Sequence, residues 1–216
     1  MKSYRKKNND IFITGIDTNA GKTVVSAILT EALRADYWKP VQTGSIENTD
    51  TKTVKKLVQN DDTEFHEEVY LFREPVSPHA AAKMEKKSVS LTKIKRPNTK
   101  KRIIIEGAGG VFTPLNNKYC IIDLIEKLNS TVIVVSKNYL GSINHTILTV
   151  EALKKKQISI AGIVFVGEKN PETEKYILQY TKLKLLFRIE KEKKITKEVV
   201  LYYANKIINS KTYEHI

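Results

Sequence analysis

The sequence predicts an α/β fold, a single doubly wound and mostly parallel sheet with helices on both faces. Short β-branched runs alternate with longer stretches of helical periodicity, the pattern of strands joined by crossover helices. Eight of the nine glycines stand at or just beyond the ends of those runs, where backbones turn sharply and ligands approach closely. A length of 216 residues with 41% apolar content suits one soluble domain, here residues 1–216, with a basic tail over 1–10.

Taken in order, Ile11 to Thr14 reads as the first strand, and Lys22 to Arg34 follows it with helical periodicity. Tyr37 to Val41 reads as the second strand and Thr51 to Gln59 as a helix. The mixed, lysine-rich stretch from Asp61 to Asn98 contains one further helical pattern, Ser77 to Lys86, and is expected to cap the sheet or cover the site. Strands are then expected at Arg102 to Glu106, Thr131 to Ser136, Ile158 to Val166 and Lys184 to Ile189. Helices alternate with them at Ile122 to Leu128, Ser142 to Lys155, Pro171 to Thr181 and Ile195 to Ile208.

Composition narrows the class. No apolar run approaches the roughly 20 residues that cross a bilayer, and MKSYRKKNND lacks the apolar core of a secretory signal, so a cytoplasmic protein is expected. The single cysteine, Cys120, can form no internal disulfide and reads as a buried packing residue. The net charge of +13 invites a nucleic-acid reading, but only six basic residues are arginine and the lysines are scattered over the chain. Solvated helix faces explain them better, and neither nucleic acid nor membrane is expected as a partner.

The stretch GIDTNAGKT, residues 15 to 23, carries the chemistry. A P-loop is usually Gly, four residues, then Gly-Lys-Ser/Thr, whereas five residues separate Gly15 from Gly21 here. Gly21, Lys22 and Thr23 still supply the working end: backbone N–H groups and a helix N-terminus around the phosphates, an ammonium for the β- and γ-phosphates, and a hydroxyl for Mg²⁺. A P-loop NTPase-like fold binding Mg·ATP follows, with Thr18, Asn19 and Ala20 facing the γ-phosphate. A Gly-Lys-Thr that merely opens a helix is the bland alternative. RIIIEGAGG ends its strand in Glu106, a plausible magnesium ligand, and Asp50 is a second carboxylate in reach, though Asn-Thr-Asp also makes an ordinary helix N-cap. Lys39, at the end of the second strand, can approach the same phosphate from the opposite side; otherwise it is an edge-strand lysine in solvent.

In order along the chain, GIDTNAGKT, WKPVQTG, NTD, EPVSPHAAA, IEGAGGVFTPL and LGSINHTILT closely resemble dethiobiotin synthetase, from about Ile11 to about Gly162. The extra loop residue is that family's own spacing. The resemblance implies a homodimeric ligase that closes a cyclic urea from 7,8-diaminononanoate and CO₂ with ATP and Mg²⁺, through a carbamate and its mixed anhydride with phosphate. By the family pattern Lys22 and Lys39 hold the γ-phosphoryl group, Thr23, Asp50 and Glu106 bind magnesium, and Thr18 and Thr43 face phosphate and carbamate. Val24, Gly107 and Gly109 complete the nucleotide site. Gly141, Ser142, Ile143 and Asn144 open the helix that receives the substrate carboxylate, across a dimer interface. His79 reads as a loop residue and His145 as a packing or surface residue.

The chain departs from the family after the strand ending at Val166, where Gly167-Glu168-Lys169-Asn170 replaces the usual base-reading Asn-Asp; either backbone contacts or Asn170 could read the base instead. Two other readings share the fold. A partition or septum-positioning ATPase would carry a lysine where Asp17 stands, and a cobyrinate-type amidoligase would need a glutaminase domain.

Overall fold

The computed structural model describes residues 9–44 and 46–210. Most of the expected basic tail, and the end of the chain from 211, lie outside them. The main sheet is built from β1 (Ile11–Gly15), β2 (Asp36–Trp38), β4 (Phe65–His66), β6 (Ile103–Glu106), β7 (Thr131–Lys137), β8 (Ile160–Val166) and β9 (Leu185–Ile189). Its order is β4-β2-β6-β1-β7-β8-β9, and every pairing is parallel. The chain leaves β1 for β2 on one side and later crosses to β7 on the other. The crevice between those two directions opens at the carboxyl ends of β1, β6 and β7, where ligands bind in doubly wound sheets.

Alternation along the strands creates the two faces. In β1, Phe12 packs on one side while Ile11 and Ile13 pack on the other; in β6, Ile103 and Ile105 oppose Ile104. One face is covered by α1 (Lys22–Leu33), α2 (Asp50–Leu57) and α7 (Lys197–Asn209), the other by α3 (Pro78–Met84), α4 (Ile121–Leu128), α5 (Ser142–Lys155) and α6 (Pro171–Thr181). All five residues of β1 are buried, as expected of a central strand covered on both sides. Among the described residues no helix is long and apolar enough to cross a membrane.

The sequence expectations hold for the order of elements, with ends shifted by a residue or two, but fail around Pro40. The expected strand Tyr37 to Val41 is two strands. β2 stops at Trp38, and β3 (Val41–Thr43) pairs instead with β5 (Tyr70–Phe72) in a separate two-stranded sheet. Proline lacks the N–H that would continue the ladder, while the Pro40 carbonyl accepts from the N–H groups of Val69 and Tyr70. Lys39 therefore lies in the break between two sheets, and β4 rather than β2 forms the edge. The two-residue β4 and three-residue β5 are too short to leave a periodic signal. Asp50, just before the helix expected from Thr51, is the first residue of α2 behind the Thr49 cap. His79, expected in a loop, lies in the first turn of α3. Cys120 is half-buried, and its N–H donates to Asp123 Oδ2 at the start of α4; burial and then Asp123 push its thiol pKa up, so it remains a protonated capping residue.

Of the lysine-rich stretch, Pro75 to Pro78 line the crevice, while its end is pinned at the start of β1. Arg96 binds both oxygens of buried Asp10 at 2.6 and 3.0 Å, and Asp10 Oδ1 also accepts from Ile103 N–H at 3.1 Å. Removing the guanidinium would leave a buried carboxylate without its charge partner. Arg96→Ala is expected to lower unfolding free energy by about 3 kcal/mol, read from urea denaturation midpoints, without altering nucleotide affinity.

Candidate active site

β1 delivers Gly15 to the crevice, and the chain wraps through residues 16–21 before α1 begins at Lys22. Gly21 precedes that helix at φ 98°, a left-handed conformation that favours glycine. A Cβ on Gly15 would come within 2.7 Å of Asp17 O and 3.2 Å of Lys22 Nζ, so a side chain there would fill the cradle. Lys22 Nζ donates to the carbonyls of Asp17 and Thr18, each at 3.0 Å. Burial, the largest influence, brings its pKa down to about 8. The loop is thus already wrapped around a desolvated ammonium, the group a polyphosphate requires.

Beside it lies a polar cluster drawn from α1, α2, β6 and the break after β2. Thr23 Oγ1 stands 2.9 Å from Glu106 Oε1 and 3.1 Å from Asp50 Oδ1. Lys39 Nζ donates to Glu106 Oε1 at 3.1 Å and also to Asp50 Oδ2. Burial alone would lower the Lys39 pKa, but the two carboxylates outweigh it and raise it; for Asp50 burial is likewise overcome by Lys39, and the pKa is lowered. The pair is therefore ionised. Lys39 is not the solvated edge lysine of the bland reading, since only 5% of its side chain is exposed. A hydroxyl and two carboxylates, all oxygen donors, suit a hard divalent cation such as Mg²⁺.

Tyr37 completes this cluster, though nothing in its local sequence singles it out. Its hydroxyl donates to Glu106 Oε2 at 2.9 Å. Burial first, then the charge of Glu106, push its pKa well above the ordinary tyrosine value, so it stays a donor. β2 and β6 are adjacent, with Tyr37 paired to Ile104, which brings the ring alongside the end of β6. One carboxylate oxygen is thereby held, and the other is left for Thr23 and Lys39.

A cleft of about 670 Å³ runs from the front of the loop, through Thr18 and Thr43, past Gly109 and Gly110, to α5. Gly110 lies against the loop itself, where a Cβ would stand 3.3 Å from Gly15 O. Gly107 is packed onto the Phe12 ring, 2.7 Å from a hypothetical Cβ. Asn19 is exposed, Ala20 is a buried residue of the loop and Val24 is half-buried against the core. Gly141, Ser142, Ile143 and Asn144 do open α5, with Gly141 left-handed at φ 103°, but they do not line this chain's cleft. From the same helix His145, Leu148 and Thr149 do so. Their i, i+3, i+4 spacing puts them on one helix face, a signal present in the sequence but not recognised there. His145 is also tied to Tyr139, with Nδ1 2.6 Å from the hydroxyl.

Beyond β8 the segment that departs from the family pattern is held by other bonds. Asn138 Nδ2 donates to Glu168 O at 2.9 Å, and Arg188 donates to Gly167 O at 2.9 Å and to Glu174 at 2.8 Å. Asn170, the candidate base reader, instead caps α6, its Oδ1 accepting from Thr173 N–H at 3.1 Å.

Comparison with known proteins sets this geometry in a family. A family model described as an AAA domain matches residues 9–199. The ATP-dependent dethiobiotin synthetase BioD of Christiangramia forsetii is 52% identical over 195 residues, 90% of this chain and 94% of that protein. The chain belongs to the dethiobiotin synthetase family. The dethiobiotin synthetase BioD of Cytophaga hutchinsonii is 50% identical and spans still more, 97% of this chain and 98% of its own. Among solved structures, the septum site-determining protein MinD of Pyrococcus horikoshii OT3, complexed with Mg-ADP, has a TM-score of 0.57 at 15% identity, covering 95% of this chain and 90% of that one. That likeness concerns the fold alone. Within the dethiobiotin synthetase framework, Tyr37→Phe removes the donor to Glu106 Oε2 and is expected to weaken divalent-cation affinity about tenfold. Mn²⁺ binding followed by electron paramagnetic resonance checks this; ATP affinity measured without metal should not change.

Proposed function

We infer that this protein is an ATP-dependent dethiobiotin synthetase, a ligase forming C–N bonds in biotin biosynthesis. The observation that carries the assignment to these residues is the junction of two features. Lys22 binds the carbonyls of Asp17 and Thr18, two residues that line the cleft, the adjacent Thr23 binds Asp50 and Glu106, and the cleft continues past Thr43 to α5. A nucleotide held by the Lys22 loop would present its γ-phosphate to whatever lies in the cleft.

In the proposed reaction, one amine of 7,8-diaminononanoate attacks CO₂ and loses a proton to give a carbamate. A carbamate oxygen displaces ADP from the γ-phosphorus. The second amine then attacks the carbamoyl carbon, phosphate leaves, and the ring closes as a cyclic urea. Thr18 and Thr43 orient the carbamate by hydrogen bonding. Lys22 holds the phosphoryl oxygens, and Asn19, Ala20, Gly21, Val24, Gly107 and Gly109 shape the backbone around the nucleotide. Thr23, Asp50 and Glu106 would hold Mg²⁺, which supplies charge neutralisation along the triphosphate. Lys39, held beside Asp50 and Glu106, would offer its ammonium to the phosphoryl group as charge develops there.

We further propose a cytoplasmic homodimer. Phe112 and Leu148 are exposed along the cleft, and the Leu140 side chain, just before α5, is fully exposed. An apolar group of this kind marks a surface that another chain covers, and the N-terminus of α5 at Ile143 and Asn144 suits a carboxylate in the partner's cleft, while Ser142 N–H donates to Tyr139 O.

The test is ADP release with Mg·ATP and bicarbonate, with and without the diamine, while the cyclic urea is followed by mass. Diamine-dependent ADP release with matching urea is expected; release that ignores the diamine would overturn the assignment. Lys39→Ala should lower kcat by at least about a hundredfold while ATP affinity changes only a few-fold.

A further inference from the structure

Away from the cleft, the edge of the sheet gathers three residues that the synthetase reaction does not use. β2 and β4 pair in parallel, with Tyr37 opposite Phe65 and Trp38 opposite His66. Side chains alternate across a strand, so Asp36 and His66 face the side opposite Tyr37. That is the side on which Trp38 packs, whereas Tyr37 packs on the other. Glu64, two residues before His66, shares its side. One ligand atom each from Asp36, Glu64 and His66 lies within 4.8 Å of the others.

Two atoms in this group are anomalous. Asp36 is buried, with 1% of its side chain exposed. Its Oδ1 is served by Glu64 N–H at 3.1 Å and by Lys101 Nζ at 3.9 Å, but its Oδ2 has no hydrogen-bond partner, and neither has His66 Nε2. The two face each other at 3.4 Å. A buried carboxylate oxygen without a partner is costly. The separation matches adjacent corners of a tetrahedron whose centre is about 2.0–2.1 Å from each donor. Glu64, 3.5 Å from His66 Nδ1, has a carboxylate 68% exposed, so it can turn toward the same centre and gives the site an opening to solvent.

We propose that Asp36, Glu64 and His66 form a binding site for a borderline divalent transition ion of the Zn²⁺ class, separate from the Thr23–Asp50–Glu106 set. An imidazole with two carboxylates favours Zn²⁺ or Co²⁺ over Mg²⁺, which prefers oxygen donors and retained water. Bound there, the ion would clamp the two-residue β4 to β2.

The experiment uses the full-length protein with Mg·ADP in excess, so that the P-loop carboxylates are occupied. Co²⁺ is titrated while its visible absorption is recorded, and Zn²⁺ is titrated by calorimetry. The expected result is a single Zn²⁺ per chain that displaces Co²⁺ from a four-coordinate spectrum. His66→Gln should abolish it, and Glu64→Gln should weaken it at least about tenfold, each variant keeping the wild-type circular dichroism. Glu64 is exposed enough that its variant reads the site even if His66→Gln folds poorly. Absence of Zn²⁺ binding to the wild-type protein, or wild-type affinity in a folded variant, would overturn the proposal.

Discussion

Glu106 joins the parts of the site. Its carboxylate ends β6 and accepts from Thr23 on α1, from Tyr37 on β2 and from Lys39 in the break after β2. Residues that precede Glu106 by 67 to 83 positions in the chain are thereby held around one buried carboxylate. Such an arrangement tolerates little slack, because each donor lost leaves the carboxylate more exposed to a low-dielectric interior. The parallel sheet supplies the rigidity: β6 lies between β1 and β2, so the end of Glu106's strand and the start of the phosphate loop cannot drift apart without breaking ladder bonds.

The break at Pro40 has a comparable role. If β2 had continued as a strand, Lys39 would have alternated with its neighbours and pointed to one face of the sheet or the other. Because the chain instead passes from one sheet to a second, smaller one, Lys39 lies in the gap and its ammonium reaches Asp50 on α2 and Glu106 on β6 together. The small sheet continues toward the cleft through Thr43, and Gly44 N–H donates to Glu74 O, close to the Pro75 to Pro78 wall.

Much of this was legible in the sequence because it rests on local signals. The β-branched runs, the Gly-Lys-Thr following a strand and the helical periodicities each state their structure within a few residues, and Lys22, Thr23, Asp50 and Glu106 were placed together on that basis and by family likeness. What escaped depends on distant pairing. β4 and β5 are two and three residues long and become strands only because β2 and β3 lie beside them. Tyr37 looks like any aromatic strand residue until the register with β6 brings its hydroxyl to Glu106. The face of α5 carrying His145, Leu148 and Thr149 acquires meaning only once the loop after β6 is known to stand opposite it. Asn170 shows the converse: a polar residue at a plausible position was drawn into a helix cap.

The bonds from Lys22 to the Asp17 and Thr18 carbonyls have a consequence for molecular economy. A loop that grips its own lysine is preorganised, so an incoming triphosphate has little chain to order and loses correspondingly less entropy on binding. It must also displace two existing hydrogen bonds to gain its own. Affinity then reports a difference between two sets of partners for one ammonium, and a departing product restores the first set. The ammonium thus has hydrogen-bond partners within the loop itself when no nucleotide is bound.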